Sequence, residues 1–192
     1  MNKQNFISID LELNQPSNKI IQVGVAIGNA CQKSENYVTT KWYVDPKEPI
    51  DPYITRLTGI TDHDIRAESY SHEYIAQELQ ALIKEHRPWL NCVVWGFDDV
   101  SVLRKEFQER NVAFEQLGGR IIDLKTIFNF MMFSNNSDPK GGLSEAMAKF
   151  SIPFDGEQHR ADQDAFNTLK FYFSMMKKQN QIVENLFDFG HK

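Results

Sequence analysis

Three runs within the first 44 residues have strand character, through apolar and polar alternation in the first and third and through β-branched residues in the second, and each is long enough for a β-strand. The runs cover residues 6–13, 20–27 and 37–44, and they are separated by segments that contain turn-forming residues such as Asn, Gly, Pro and Ser. Consecutive strands with short connections are typical of an antiparallel meander. The sequence therefore predicts three neighbouring antiparallel strands at the start of the chain.

Beyond residue 45, most apolar positions follow the spacing of an α-helix. Helices are predicted at residues 53–57, 71–85, 124–133, 144–150 and 163–176, and a helical pattern also covers residues 100–107. Apolar runs at residues 92–95 and 120–123 predict two further strands on either side of that last pattern. A meander followed by a strand, helix, strand unit predicts an α/β fold with a mixed five-stranded sheet, in which three antiparallel strands precede the parallel ones and helices flank the sheet.

The size and composition are those of one ordinary globular domain. A chain of 192 residues with 41% apolar and 24% charged residues can form one sizeable core, so a single domain is predicted over residues 1–192, with its core at about 6–176 and a short tail at 177–192. Apolar runs stay well below the roughly 20 residues that span a bilayer, and the amino terminus lacks the apolar core of a signal peptide. We therefore expect no membrane association and a cytoplasmic location. Cys31 and Cys92 lie beside apolar runs and are predicted to be buried, reduced thiols.

Two acidic residues lie in the first predicted strand, which otherwise has the pattern of a buried strand. Asp10 and Glu12 share one face of it with Ser8, because successive side chains of a strand point to opposite faces. Neighbouring carboxylates repel each other unless a cation or a proton lies between them. The pattern therefore indicates a divalent metal site, with an edge strand that exposes both acids to water as the alternative.

A second acidic pair, Asp98 and Asp99, follows the predicted strand at residues 92–95. Ligands of α/β sheets bind where strands end and helices begin. One aspartate can cap the following helix, and Asp98 suits that role better because Asp99 lies one turn before the apolar Leu103. Asp99 is therefore predicted as the functional acid, with the reverse assignment as the alternative.

A third candidate segment, residues 159–165, leads into the last long helix. His159 is placed in the loop and Asp164 in the first helical turn, on the side that faces the sheet. Read by itself, His159 is more typical of a surface loop, and the basic pair His159 and Arg160 is more typical of a solvated face. Together with the other acids, the segment supplies a fourth carboxylate and a residue type that exchanges protons near neutral pH.

These motifs together resemble the DEDDh group of DnaQ-like 3′ to 5′ exonucleases, which have a ribonuclease H-like fold. Residues 10–12 resemble the first exonuclease motif, and residues 58–61 (Thr-Gly-Ile-Thr) resemble the loop that lines the terminal nucleotide. Residues 95–99 are similar to the second motif of Eri-type RNA exonucleases and sporulation-inhibitor relatives, and residues 159–165 are similar to the third. The motifs occur in the family's order over most of the chain.

The resemblance implies a metal-dependent enzyme that removes nucleoside 5′-monophosphates from the 3′ ends of single-stranded RNA or DNA. It implies that Asp10, Glu12, Asp99 and Asp164 bind two divalent cations, Mg²⁺ or Mn²⁺, that His159 is the general base, and that Leu11, Thr58, Gly59, Ile60 and Phe97 contact the terminal nucleotide. For Ile60 and Phe97, a place in the core is the alternative. The alternative functions are a non-catalytic nucleic-acid-binding or regulatory module and a phosphohydrolase that acts on small nucleotides.

The net charge of −5 is unfavourable for a polyanionic substrate, but two bound divalent cations would bring it to about −1. Two departures from the family pattern leave the choice between RNA and DNA open. Asn14 and Gln15 follow the first motif where many relatives have Thr-Gly, and residues 94–96 replace a common His-Asn pair.

Overall fold

The computed structural model of the chain describes residues 3–96, 99–114 and 116–187, the side chains of residues 179–187 excepted. Its strands are β1 Phe6–Leu13, β2 Ile20–Gly28, β3 Val38–Val44, β4 Ser69–Tyr70, β5 Trp89–Val94 and β6 Ile122–Asp123. They form one mixed sheet in the order β4-β3-β2-β1-β5-β6. The three predicted antiparallel strands are β1, β2 and β3, and β5 and β6 continue the sheet in parallel with β1.

The sheet has six strands among the described residues, so the predicted number of five was wrong. The additional strand, β4, consists of two residues that pair in parallel with Tyr43 and Val44 at the end of β3. Two residues are too few to show a strand period in the sequence. Only the pairing with β3 makes this segment a strand.

The helices are α1 Pro52–Thr58, α2 Asp62–Glu68, α3 His72–His86, α4 Asp99–Glu109, α5 Leu124–Ser134, α6 Leu143–Lys149 and α7 Ala161–Phe187. Side chains cap several of their first turns, and at the start of α2 Thr61 forms a capping box with Asp64. Helix α7 continues to Phe187, so part of the predicted tail is helical.

Helices cover both faces of the sheet. Residues of α3 and α4 pack on one face against Ile7, Ile9 and Leu11 of β1, and residues of α5, α6 and α7 form a second core on the other face. Strand β1 lies between β2 and β5, so the alternative that its acids lie on an edge strand was wrong. Helices α1 and α2 enclose a third, smaller core of isoleucines beside β2.

Two further expectations concern the surface. Cys92 is buried, but Cys31 is exposed in the connection between β2 and β3, so its predicted burial was wrong. An apolar neighbour in sequence does not bury a residue of a turn. Within the part of the chain that the structure describes, no helix is long and apolar enough to cross a membrane.

Candidate active site

Three carboxylates meet at the centre of the sheet. Asp10 and Glu12 lie on β1, opposite Gly24 and Gln22 of β2, and Asp164 lies in the first turn of α7. One carboxylate oxygen from each of Asp10, Glu12 and Asp164 lies within 4.8 Å of the other two. Oxygen ligands at this spacing suit a divalent cation such as Mg²⁺ or Mn²⁺.

A close approach between α7 and β2 brings Asp164 to this place. A β-carbon on Gly24 would overlap the carbonyl group of Ala161, so only glycine allows the helix to begin directly above the strand. The Ala161 amide donates a hydrogen bond of 2.8 Å to Oε1 of Gln22, and the Arg160 amide donates one of 3.1 Å to the Asp164 carboxylate. The first turn of α7 is thereby held over the acids of β1.

The cluster shifts the proton affinity of its members. Burial, reinforced by the charges of Asp99, Asp164 and Glu12, raises the pKa of Asp10 well above its usual range. Burial and the charges of Asp164 and Asp99 raise the pKa of Glu12 to about 8. Burial also raises the pKa of Asp164 to about 6, against the opposing effect of hydrogen bonds and of the His159 charge. These carboxylates repel one another when they are ionised, and a divalent cation bound between them would remove that repulsion. The three residues therefore fit a metal site.

Asp99 is the first residue of α4 and is 6% exposed. Its charge contributes to the raised pKa of both Asp10 and Glu12, which places it beside the three clustered carboxylates. Asp98, the alternative functional acid, and Phe97, a predicted nucleotide contact, lie outside the described residues. The choice of Asp99 as the fourth acid therefore stays a prediction.

His159 lies on the rim of the same site. It is exposed and has a left-handed backbone conformation with φ of 61°, and it lines a cavity of about 360 Å³ together with Asp10, Glu12 and Asp164. An exposed histidine beside a carboxylate cluster can exchange protons with solvent. The geometry therefore allows His159 to act on a water molecule in the cavity.

Several other residues line this cavity. Leu11, which the sequence analysis assigned to substrate binding, is among them. The remaining lining residues were not predicted as site residues: Trp95, Gly142, Leu143, Ser144, Glu145 and Gln158. Residues 142–145 reach the site because α6 begins there, whereas Trp95 is the first residue of the second motif and Gln158 directly precedes the third.

Arg160 is the functional candidate that the sequence analysis missed, since it was read as part of a solvated basic cluster. Its side chain is 22% exposed, and its Nη1 lies 3.5 Å from the Tyr43 hydroxyl. Its guanidinium packs against Gly59, where a β-carbon would lie 3.3 Å from Nη2, and its charge opposes the rise in the pKa of Glu12. Tyr43 and Gly59 are more than 100 residues away in sequence, so no local pattern could have revealed these contacts.

The segment at residues 58–60 lies beside Arg160, but two of its side chains point inward. Thr58 is buried, and its hydroxyl donates to the Ile54 carbonyl and accepts from the Ile60 amide. Ile60 is 0% exposed and belongs to the isoleucine core, as the alternative interpretation expected. Its side chain is therefore not accessible to a nucleotide base. Gly59 is exposed, with φ of 70°, and ends α1. Of the three predicted contacts Thr58, Gly59 and Ile60, only Gly59 is exposed to solvent.

Comparisons with known proteins agree with this arrangement. The sequence profile of the exonuclease family (RNase_T) matches residues 7–172. A 3′-5′ exonuclease DinG of Staphylococcus epidermidis is 27% identical over 183 residues, which cover 92% of this chain and 18% of that protein. This chain spans 12% to 19% of the length of the curated relatives that it matches.

Solved structures share the fold at low sequence identity. The nuclease domain of 3′hExo, a DEDDh family member bound to rAMP, has a TM-score of 0.75 and 17% identity, with 92% of this chain and 93% of that chain covered. Escherichia coli Exonuclease I in complex with a dA16 oligonucleotide has a TM-score of 0.66 and 16% identity, covering 96% of this chain and 43% of that one. These similarities confirm the predicted ribonuclease H-like α/β fold.

Proposed function

Because this chain belongs to the exonuclease (RNase_T) family, we propose that it is a metal-dependent 3′ to 5′ exonuclease acting on single-stranded nucleic acid. It hydrolyses the phosphodiester bond at the 3′ end of RNA or DNA and releases nucleoside 5′-monophosphates. The observation that carries the proposal is the cluster of Asp10, Glu12 and Asp164 on a solvent-accessible cavity, with His159 on its rim. The similarity to a 3′-5′ exonuclease DinG supports degradation from the 3′ end. The similarity to Exonuclease I, which binds a dA16 oligonucleotide, supports a nucleic-acid substrate.

Four acids are proposed to hold two divalent cations, Mg²⁺ or Mn²⁺: Asp10, Glu12, Asp99 and Asp164. Bound cations of this kind lower the pKa of a water molecule and neutralise the charge that grows on the phosphoryl and leaving oxygens. The protein holds the four acids on three different elements, β1, α4 and α7, which are fixed to one another through the two cores.

His159 is proposed as the general base that takes the proton from the attacking water. It is exposed on the cavity beside Asp164, so the proton can pass on to solvent after each cycle. Leu11 and Gly59 are proposed to contact the terminal nucleotide, together with Thr58 through its backbone. Phe97 stays a proposed contact at a position outside the described residues.

A degradation assay tests the function. Purified protein is incubated with single-stranded RNA and DNA of one sequence, labelled at the 5′ or the 3′ end, with Mg²⁺, Mn²⁺ or EDTA. The 5′ label is expected to give a ladder that shortens from the 3′ end, the 3′ label a mononucleotide, and EDTA is expected to stop both. The Asp164→Asn protein is the matched inactive control.

Absence of degradation of any polymer under all these conditions would contradict the proposal. Hydrolysis of mononucleotide esters without degradation of polymers would favour a phosphohydrolase of small nucleotides. Rates on the matched RNA and DNA decide which polymer is preferred, which the departures in the first and second motifs leave open.

A further inference from the structure

Helix α1 presents one face to solvent that combines an aromatic, a cationic and an aliphatic side chain. Tyr53 is 59% exposed, Leu57 is 38% exposed, and Arg56 lies between them in sequence and is also exposed. These positions are spaced i, i+3 and i+4, so they share one side of the helix. The neighbouring side carries Ile54 and Thr58, which are buried and anchor α1 to the protein. We refer to Tyr53, Arg56 and Leu57 as the α1 face.

The α1 face continues the surface of the proposed active site. Helix α1 ends at Gly59, two residues after Leu57, and the guanidinium of Arg160 packs against Gly59. Arg160 in turn directly follows His159, which lines the cavity of the carboxylates, and its backbone amide donates a hydrogen bond of 3.1 Å to Asp164. A path over the surface therefore leads from the carboxylates across Arg160 and Gly59 to the α1 face.

The charge along this path favours a polyanion. The chain as a whole is acidic, with a net charge of −5, but Arg160 packs against Gly59 and Arg56 lies in the last turn of α1. Glu157, 3.5 Å from Arg160, offsets part of the charge of that arginine. Proteins that bind single strands without sequence preference combine cations for the phosphates with aromatic or apolar side chains for the bases.

We propose that the α1 face is an upstream subsite that holds the nucleotides preceding the terminal one in a single-stranded substrate. Tyr53 and Leu57 pack against bases, and Arg56 contacts a phosphate. This inference rests on the proposed function, because the carboxylate site defines where the 3′ end lies. A substrate too short to reach α1 gains nothing from the subsite.

The test compares a dinucleotide with a single-stranded oligonucleotide of about ten nucleotides, a length within the site sizes of single-strand binders. The Tyr53→Ala/Leu57→Ala protein is expected to have a KM about tenfold higher for the oligonucleotide, the effect of losing one stacking platform. Its kcat, and both constants for the dinucleotide, are expected to stay within about twofold of wild type. Phe130→Ala on α5, which removes a side chain that is 71% exposed, is the control for loss of an exposed aromatic residue.

Arg56 gives an independent measurement. Removing one phosphate contact lowers the slope of log affinity against log salt concentration by about one, so Arg56→Ala is expected to bind the labelled oligonucleotide with that smaller slope. Arg56→Lys is expected to retain it. Fluorescence anisotropy in EDTA measures binding without hydrolysis.

The outcomes separate the two proposals. If wild type degrades the oligonucleotide and the double variant has the same KM, the subsite is overturned and the exonuclease function stands. If wild type degrades neither substrate, the exonuclease function fails, and anisotropy decides the subsite: weaker binding by the double variant supports it, and equal binding overturns it. A change of oligomeric state in the double variant, with unchanged oligonucleotide binding, would assign the α1 face to a protein contact.

Discussion

At the scale of single residues, the carboxylates of the candidate site lie where their ionised forms are unfavourable in the metal-free protein. Asp10, Glu12 and Asp164 each have a raised pKa because they are buried, and neighbouring negative charges add to the effect at Asp10 and Glu12. Such an arrangement lowers the stability of the unliganded protein above the ordinary pKa of these groups. Strain of this kind is expected at a site that serves a ligand and not the fold.

His159→Ala is expected to lower kcat by about a hundredfold to ten-thousandfold, the range for loss of a general base. Metal binding, measured by titration calorimetry, is expected to stay close to wild type because the histidine is not a proposed ligand. Asp10→Ala is expected to lower both. Wild-type activity of the His159→Ala protein would remove this residue from the mechanism.

Glu12→Gln is expected to stabilise the metal-free protein at pH 8. The pKa of Glu12 is raised from 4.5 to about 8 in the folded chain, so wild type loses stability as the pH rises through that interval, while glutamine does not titrate. Thermal unfolding in EDTA is expected to show a Tm at least about 2 °C above wild type at pH 8, the effect of about 1 kcal/mol in a chain of this size. The difference is expected to shrink towards pH 4.5.

Glu48→Gln is the control for this experiment. Hydrogen bonds from Lys19, Ser17 and Asn14 lower the pKa of Glu48 to about 2, so its ionised form is favoured in the folded state. Its replacement is expected to lower the Tm at pH 8. The same sign for both substitutions would contradict the assignment of Glu12 as a disfavoured charge.

At the scale of elements, the site depends on how closely α7 approaches β2. Gly24 allows the contact, and the hydrogen bond from Ala161 to Gln22 fixes its height above the sheet. His159, Arg160 and Asp164 all belong to this junction. Movement of one helix end would therefore displace the base, the cation and one carboxylate together.

Gly24→Ala is expected to destabilise the protein by about 3 kcal/mol, the upper part of the usual range for overpacking, because the added carbon meets backbone and not a flexible side chain. Activity is expected to fall as well, since α7 must shift. Urea unfolding and the degradation assay measure the two effects. Gly119→Ala, where an added β-carbon meets nothing within 4 Å, is the control and is expected to change neither property.

At the scale of the whole molecule, the sheet order places β1 between β2 and β5, with α7 on the same face as the acids. The predicted resemblance to DnaQ-like 3′ to 5′ exonucleases is confirmed by the family match and the shared fold. The acidic net charge of −5 is unfavourable for binding a polyanion. Cations at the site would offset most of it, which couples metal binding to stability and to substrate affinity.

Mg²⁺ or Mn²⁺ is therefore expected to raise the Tm of wild type, and more at pH 8 than at pH 6. The cation competes with the protons that Glu12, with a pKa of about 8, retains at the lower pH. At a concentration about a hundred times Kd the gain is about 2.7 kcal/mol, or roughly 5 to 10 °C in this size class. A Tm that does not respond to either cation in calorimetry at pH 8 would contradict the metal site.

The sequence alone determined the features that depend on neighbouring residues. The alternation in β1 placed Asp10 and Glu12 on one face, because the strand period is a local property. The order of the motifs also indicated the family. The bounds of β1 and of most helices followed from the same local patterns.

Only the tertiary structure decided the features that depend on contacts between distant parts of the chain. It formed β4 by pairing with β3, buried Ile60 in an isoleucine core, and left Cys31 exposed in a turn. It also moved Arg160 from an apparent surface cluster to the junction between the carboxylates and α1. The physical reason is the same in each case: burial and partners are set by which elements pack together, and no local period in the sequence records that choice.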